Sequence, residues 1–157
     1  MKNRYYLAYG SNLNVEQMQN RCPGAMILGT ATLKGWSLVF KGSKTGAYLT
    51  IIPDEEGEVP VAVWKVTEQD ELALDRYEGF PTFYYKKEME VTYRGIKTAR
   101  AKTVTAFVYL MREDSEFGIP SNRYMRTCMQ GYDAFRFNRL VLLEAFNRSM
   151  KEVFHED

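Results

Sequence analysis

The chain has 157 residues, 45% of them hydrophobic, which is enough for one ordinary core and predicts a single domain over residues 1–157. Its 21 lysines and arginines are matched by 20 aspartates and glutamates, so there is no basic field to grip a phosphate backbone and nucleic acid is excluded as a main partner. No run is apolar enough to span a bilayer or act as a secretory leader, which predicts no membrane partner and a cytoplasmic setting. The composition sets no oligomeric state.

Taken in chain order, Tyr5 to Ala8 predicts a short buried strand, Tyr9-Gly10-Ser11-Asn12-Leu13 a turn, and Asn14–Asn20 a short helix. Cys22 and Cys128 lack CxxC spacing and read as packing thiols in a reduced compartment. Four runs rich in β-branched and aromatic residues, Met26–Thr32, Trp36–Phe40, Tyr48–Ile52 and Val59–Lys65, are separated by Gly, Pro and Asp and predict an antiparallel meander. Between two of them, Gly42-Ser43-Lys44-Thr45-Gly46 lacks the spacing of a phosphate loop and is expected as a hairpin turn.

Thr67-Glu68-Gln69-Asp70 opens a helix, because a threonine cap and early acidic residues satisfy the free amides and suit the dipole. Leu72, Leu74 and Tyr77 are its expected apolar positions, and Gly79 and Pro81 stop it. Two more strands follow, Phe83–Tyr93 and Thr103–Met111. Pro120-Ser121 precedes a helix over Asn122–Gln130 that Gly131 ends, and Asn138 caps a last amphipathic helix carrying Leu142, Phe146, Met150 and Val153. Strands in the middle and helices at the ends predict an α+β fold.

The chain has one histidine, His155, close to its end, so Ser-His-Asp, Cys-His and multi-histidine metal arrangements are very hard to build. No metal and no cofactor are expected. Carboxylates and backbone amides remain, and one carboxylate is oddly placed. Glu78 closes its helix just before Gly79, where the dipole disfavours negative charge. If Tyr77, Phe80, Phe83, Tyr84 and Tyr85 fold over it, desolvation raises its pKa as well. A residue that breaks a local rule without compensation is a candidate for function, although a glutamate at a helix end is often simply solvated. The Tyr9–Leu13 turn can aim several backbone N–H groups at an anion.

Together, Tyr9-Gly10-Ser11-Asn12-Leu13 and Leu74-Asp75-Arg76-Tyr77-Glu78-Gly79 resemble the two most recognisable motifs of the gamma-glutamyl cyclotransferase-like family. The resemblance extends through Thr30–Trp36, Val61–Val66, Tyr84–Val91 and Pro120-Ser121 to Tyr124 and Gly131. It implies a small, mostly antiparallel β-barrel flanked by helices, with a cavity at one rim. It also implies cleavage of a small gamma-glutamyl amide by internal attack, releasing 5-oxoproline and an amine or amino acid. Glu78 would be the catalytic base, and Tyr9, Gly10, Ser11, Asn12 and Leu13 would hold the glutamyl group, with Tyr84 and Tyr124 as further substrate contacts. Ala62 stands where many relatives carry glycine beside the cavity, so its methyl is expected to narrow the pocket. Ala134-Phe135-Arg136-Phe137 falls where the family varies in length. Two other readings stay open: removal of a gamma-glutamyl protecting group from a biosynthetic intermediate, and a binding module that keeps the pocket without turnover.

Overall fold

Strands β1 (Arg4–Ala8), β2 (Met26–Lys41), β3 (Tyr48–Val66), β4 (Tyr84–Gly95) and β5 (Ala101–Met111) close into a barrel in the order β1-β3-β2-β4-β5. Helices α1 (Val15–Arg21), α2 (Glu68–Glu78), α3 (Asn122–Ala134) and α4 (Leu140–His155) flank it, which bears out the expected α+β barrel. This computed structural model describes residues 3–155; the basic opening at Met1–Lys2 and the side chain of His155 lie outside the described residues.

Two long strands replace the four short ones expected between Met26 and Lys65. β2 and β3 pair from Met26↔Lys65 to Lys41↔Tyr48 as one hairpin. Gly35, at φ 89, marks a register shift between Lys34 and Trp36, so it bends the ribbon without ending it. The turn is where the sequence put it, with Gly42 and Gly46 both at positive φ. β1 then pairs antiparallel with β3, reaching Ala8↔Ala62, and parallel with β5 through Tyr5↔Ala106 and Tyr6↔Phe107. That parallel seam shuts the barrel.

α2 begins with the anticipated capping box. Asp70 N–H donates to Thr67 Oγ1 at 3.1 Å, and Thr67 N–H donates to Asp70 Oδ2 at 3.0 Å. Its packing differs from the sequence expectation: Leu74 is fully buried, but Leu72 is 56% exposed and Tyr77 44%. Polar contacts carry the attachment instead. Lys86 of β4 lies 2.7 Å from Glu71 and 2.9 Å from Asp75, Arg4 of β1 pairs with Glu71 at 3.1 Å, and Tyr109 of β5 donates to Asp75 at 2.6 Å. Three strands thus hold one helix whose one fully buried apolar side chain is Leu74.

Gly131 does not end α3, which continues to Ala134. A Cβ there would meet the Leu13 carbonyl carbon at 2.6 Å, so the glycine lets the helix axis press against the first loop. Asn14 joins the same contact: it caps α1 by accepting from Gln17 N–H, and its amide donates to Gln130 at 2.9 Å. Asn138 caps α4 as expected, accepting from Leu140 N–H at 3.0 Å, and α4 fastens to β2 where Ser149 accepts from Phe40 N–H at 2.8 Å. Among the described residues both cysteines are buried and free, and no helix is long and apolar enough to cross a membrane.

Candidate active site

Where β1 ends, the chain turns across the barrel rim as a short 3₁₀ turn at Ser11–Leu13. The turn uses the amides of Leu13 and Asn14, which donate to the carbonyls of Gly10 and Ser11. The amides of Ser11 and Asn12 lie ahead of those bonds and take no part in them. Opposite stands the last turn of α2, ended by Gly79 in the left-handed conformation at φ 67. A cavity of about 360 Å³ lies between them, within the range of small-molecule sites.

The cavity gathers most of the residues singled out from sequence. Tyr9, Gly10, Ser11 and Asn12 line it from the loop, Glu78 from α2, Tyr84 from β4 and Tyr124 from α3. Leu13 is different. It is fully buried beneath the loop, against α3, and is not among the lining residues, so it anchors the loop from below. Ala62 likewise does not line the cavity; it is buried in β3 between Ala8 and Thr30, so its methyl does not narrow the pocket.

Glu78 keeps part of its surface open to the cavity but is enclosed on nearly every other side. That desolvation pushes its carboxyl up to about 8, against an ordinary 4.5, while the positive charge of Arg21 pulls the other way. The enclosure is built only in part from the neighbours the sequence suggested. Tyr85 is exposed, and Phe80 turns toward Lys86 and Tyr109. Tyr6, Tyr9, Tyr109 and Tyr124, all distant in sequence, join Tyr77, Phe83 and Tyr84 around the carboxylate.

The hydroxyls of these tyrosines are in two states. Tyr9 donates to the Tyr109 carbonyl at 2.7 Å, Tyr84 donates to the Leu49 carbonyl at 2.7 Å, and Tyr109 donates to Asp75, so their protons are committed. Tyr124 instead accepts from Leu49 N–H at 3.1 Å, and Tyr6 accepts from the Asn12 amide at 2.9 Å. A phenol that accepts still has its own proton to give. Tyr6 and Tyr124 can therefore donate into the cavity, and burial holds both well above the usual phenol range, so they stay protonated.

Sequence reasoning missed Tyr6, Tyr48, Leu49, Arg76 and Tyr109 as lining residues. Tyr6 and Tyr109 did leave a trace: each adjoins apolar residues, in Tyr6-Leu7-Ala8 and in Ala106-Phe107-Val108-Tyr109-Leu110-Met111, and a buried phenol needs a polar partner. Arg76 is exposed, lines the mouth, and is the one cation among the lining residues. Among the described residues no three His, Cys, Asp or Glu side chains stand close enough to share a metal ion.

The sequence model described as "Gamma-glutamyl cyclotransferase, AIG2-like" matches residues 6–126, a span that holds the whole loop, Glu78 and Tyr124. The chain belongs to the gamma-glutamyl cyclotransferase family. It is 33% identical over 133 residues to a gamma-glutamylcyclotransferase of Bos taurus, covering 80% of this chain and 68% of that one. The human gamma-glutamylcyclotransferase is also 33% identical, over 134 residues with the same coverage. A solved gamma-glutamyl cyclotransferase superposes with a TM-score of 0.75 at 27% identity, covering 95% of this chain and 87% of that one. The likeness extends to the barrel as well as to the motifs, since the family match at residues 6–126 spans nearly all of β1 to β5 and the superposition covers 95% of the chain.

Proposed function

We propose that this chain is a gamma-glutamyl cyclotransferase, with Glu78 as its proton-transfer group and the Tyr9–Asn12 loop as its glutamyl clamp. The observation that carries the reading is the raised carboxyl of Glu78, at about 8, facing a loop with uncommitted amides across a small cavity. The substrate's ammonium stands beside its own free alpha-carboxylate and holds its proton at least as tightly as the α-amino group of a peptide, which titrates at about 7.7–8.0. A carboxylate at its usual value could not take a proton from such an ammonium without a large uphill step. One raised to about 8 can, at far smaller cost.

The free amine then attacks the substrate's own gamma-carbonyl. A carbon–nitrogen bond forms to close the five-membered ring, and Glu78 returns its proton to the departing nitrogen as the original amide carbon–nitrogen bond breaks. The second proton of the ring nitrogen follows through the freed Glu78 carboxylate to the released amine, which leaves as an ammonium. Both reacting groups belong to one molecule, so the protein's task is to hold a folded substrate and stabilise charge. The Ser11 and Asn12 amides hold the alpha-carboxylate. Tyr6 and Tyr124, with protons to spare, face the oxygen on which charge develops, where one such donor is typically worth about 3 kcal/mol.

Arg76 at the mouth supports a leaving group that carries a carboxylate, and hence a gamma-glutamyl amino acid in preference to a gamma-glutamyl amine. The test is a panel of both compound types, assayed for 5-oxoproline in the presence of a chelator. Product from the amino-acid members at undiminished rate supports the reading and its metal independence. A panel without any 5-oxoproline would leave the chain as a binding module.

A further inference from the structure

Arg21, the last residue of α1, does not line the cavity, yet it touches both halves of it. Its guanidinium carbon lies 3.4 Å from the centre of the Tyr77 ring, on the turn of α2 that carries Glu78. One of its amino groups donates to the Asn12 side-chain carbonyl, in the loop. That contact fixes which way the Asn12 amide faces, so its NH2 group donates to Tyr6. Tyr77 closes the circuit, with its hydroxyl 3.0 Å from Ser11 Oγ.

We propose that Arg21 is a positioning residue that clamps the substrate loop to the catalytic end of α2 and supplies the positive field felt by Glu78. The inference rests on the cyclotransferase reading only for the kinetic part of its test. Among the described residues Arg21 forms no ion pair, so no direct partner neutralises its charge. The groups facing Glu78 from the other elements are phenols: Tyr6 from β1, Tyr9 from the loop, Tyr84 from β4, Tyr109 from β5 and Tyr124 from α3. All five are held neutral by burial. Arg76, on the helix itself, does not contribute to the Glu78 shift, whereas Arg21 is the charge that opposes desolvation there.

The two halves of the role separate by substitution. A planar fork that both stacks and donates is specific to arginine, whereas the charge alone survives in lysine. Arg21→Lys should lower kcat/KM about tenfold and leave the acid limb of its pH profile in place. Arg21→Gln should lower it at least as far and move that limb upward by about one pH unit, the lower end of the effect of a nearby opposite charge. The same shift should appear without substrate, in a carbon-13 titration of the Glu78 carboxyl assigned by its loss in Glu78→Gln. An unmoved carboxyl midpoint in folded Arg21→Gln overturns the proposal, and so does a wild-type kcat/KM in Arg21→Lys. Should Arg21→Gln not fold, Arg21→Lys decides alone: a fixed limb with reduced kcat/KM supports the clamp, and a displaced limb refutes it. A wild-type chain that makes no 5-oxoproline would defeat the cyclotransferase reading, and the carboxyl titration would still judge Arg21.

Discussion

The two ends of α2 are made on opposite terms. At its start, Thr67 and Asp70 satisfy each other's amides, and acidic residues stand where the dipole welcomes them. At its end, a glutamate stands where the dipole resists it and is stripped of water by tyrosines from three strands, a helix and a loop. The first end is a fastening. The second is strained toward chemistry, and the ion network of Arg4, Glu71, Lys86 and Asp75 holds it in place between the two. A helix can carry an unfavourable residue at its working end when its other turns are secured independently.

The sharpest way to break this contrast is Glu78→Gln. Turnover should fall by at least about a hundredfold, the usual scale for a general acid or base. Stability should move the other way. The folded carboxyl titrates at about 8 against 4.5 for the free side chain, so the folded state holds its proton more tightly. Its contribution is fully present below about pH 4.5 and is lost as pH rises through 8. Glutamine has no proton to lose, so the variant should melt at or above the wild type at neutral pH, and the difference should shrink toward pH 4. A variant that melts clearly earlier at pH 7.5 and still turns over normally would make Glu78 a structural residue.

Across the cavity, Gly10→Val tests the loop that faces the helix end. A Cβ on residue 10 would already sit 3.3 Å from both Leu49 Cδ1 and the Tyr124 hydroxyl, and valine adds two methyls in that space. The Michaelis constant should rise at least about tenfold, because the loop shifts and the Tyr124 donor with it. Wild-type kinetics would remove the loop from the site.

The smallest effect belongs to the secured end. Thr67→Ala should cost about 1 kcal/mol, a few degrees in melting temperature, with kcat/KM within about twofold of wild type. Kinetics as damaged as those of Gly10→Val would mean that the two ends are not independent.

Most of this contrast could be read before the structure was known. The capping box is a local pattern, and Glu78 announced itself by violating one. What hid its surroundings was barrel closure. Tyr6 and Tyr109 meet because β1 lies beside β5, a pairing that no local pattern contains, whereas the adjacent Phe80 and Tyr85 looked suitable and face elsewhere. Gly131 misled for a related reason: a glycine in a helical run signals a stop, and here it serves a contact with Leu13 more than a hundred residues away in the chain. Gly35 and the residues around Pro53 similarly read as turns, because a bulge and a turn share the same residues and only the partner strand tells them apart.

The parallel seam between β1 and β5 also orders events in time. β1 is the first strand to leave the ribosome, but its partners are β3 and β5, at Lys65 and Ala106. Closing such long loops is slow and entropically costly, so β1 waits for strands made much later, while the β2–β3 hairpin zips from its own turn. The Tyr9–Leu13 loop hangs directly from the end of β1 and is held across the rim only when that strand docks. The expected outcome is that 5-oxoproline production on refolding appears no earlier than β1 docking, so it would serve as a clock for barrel closure.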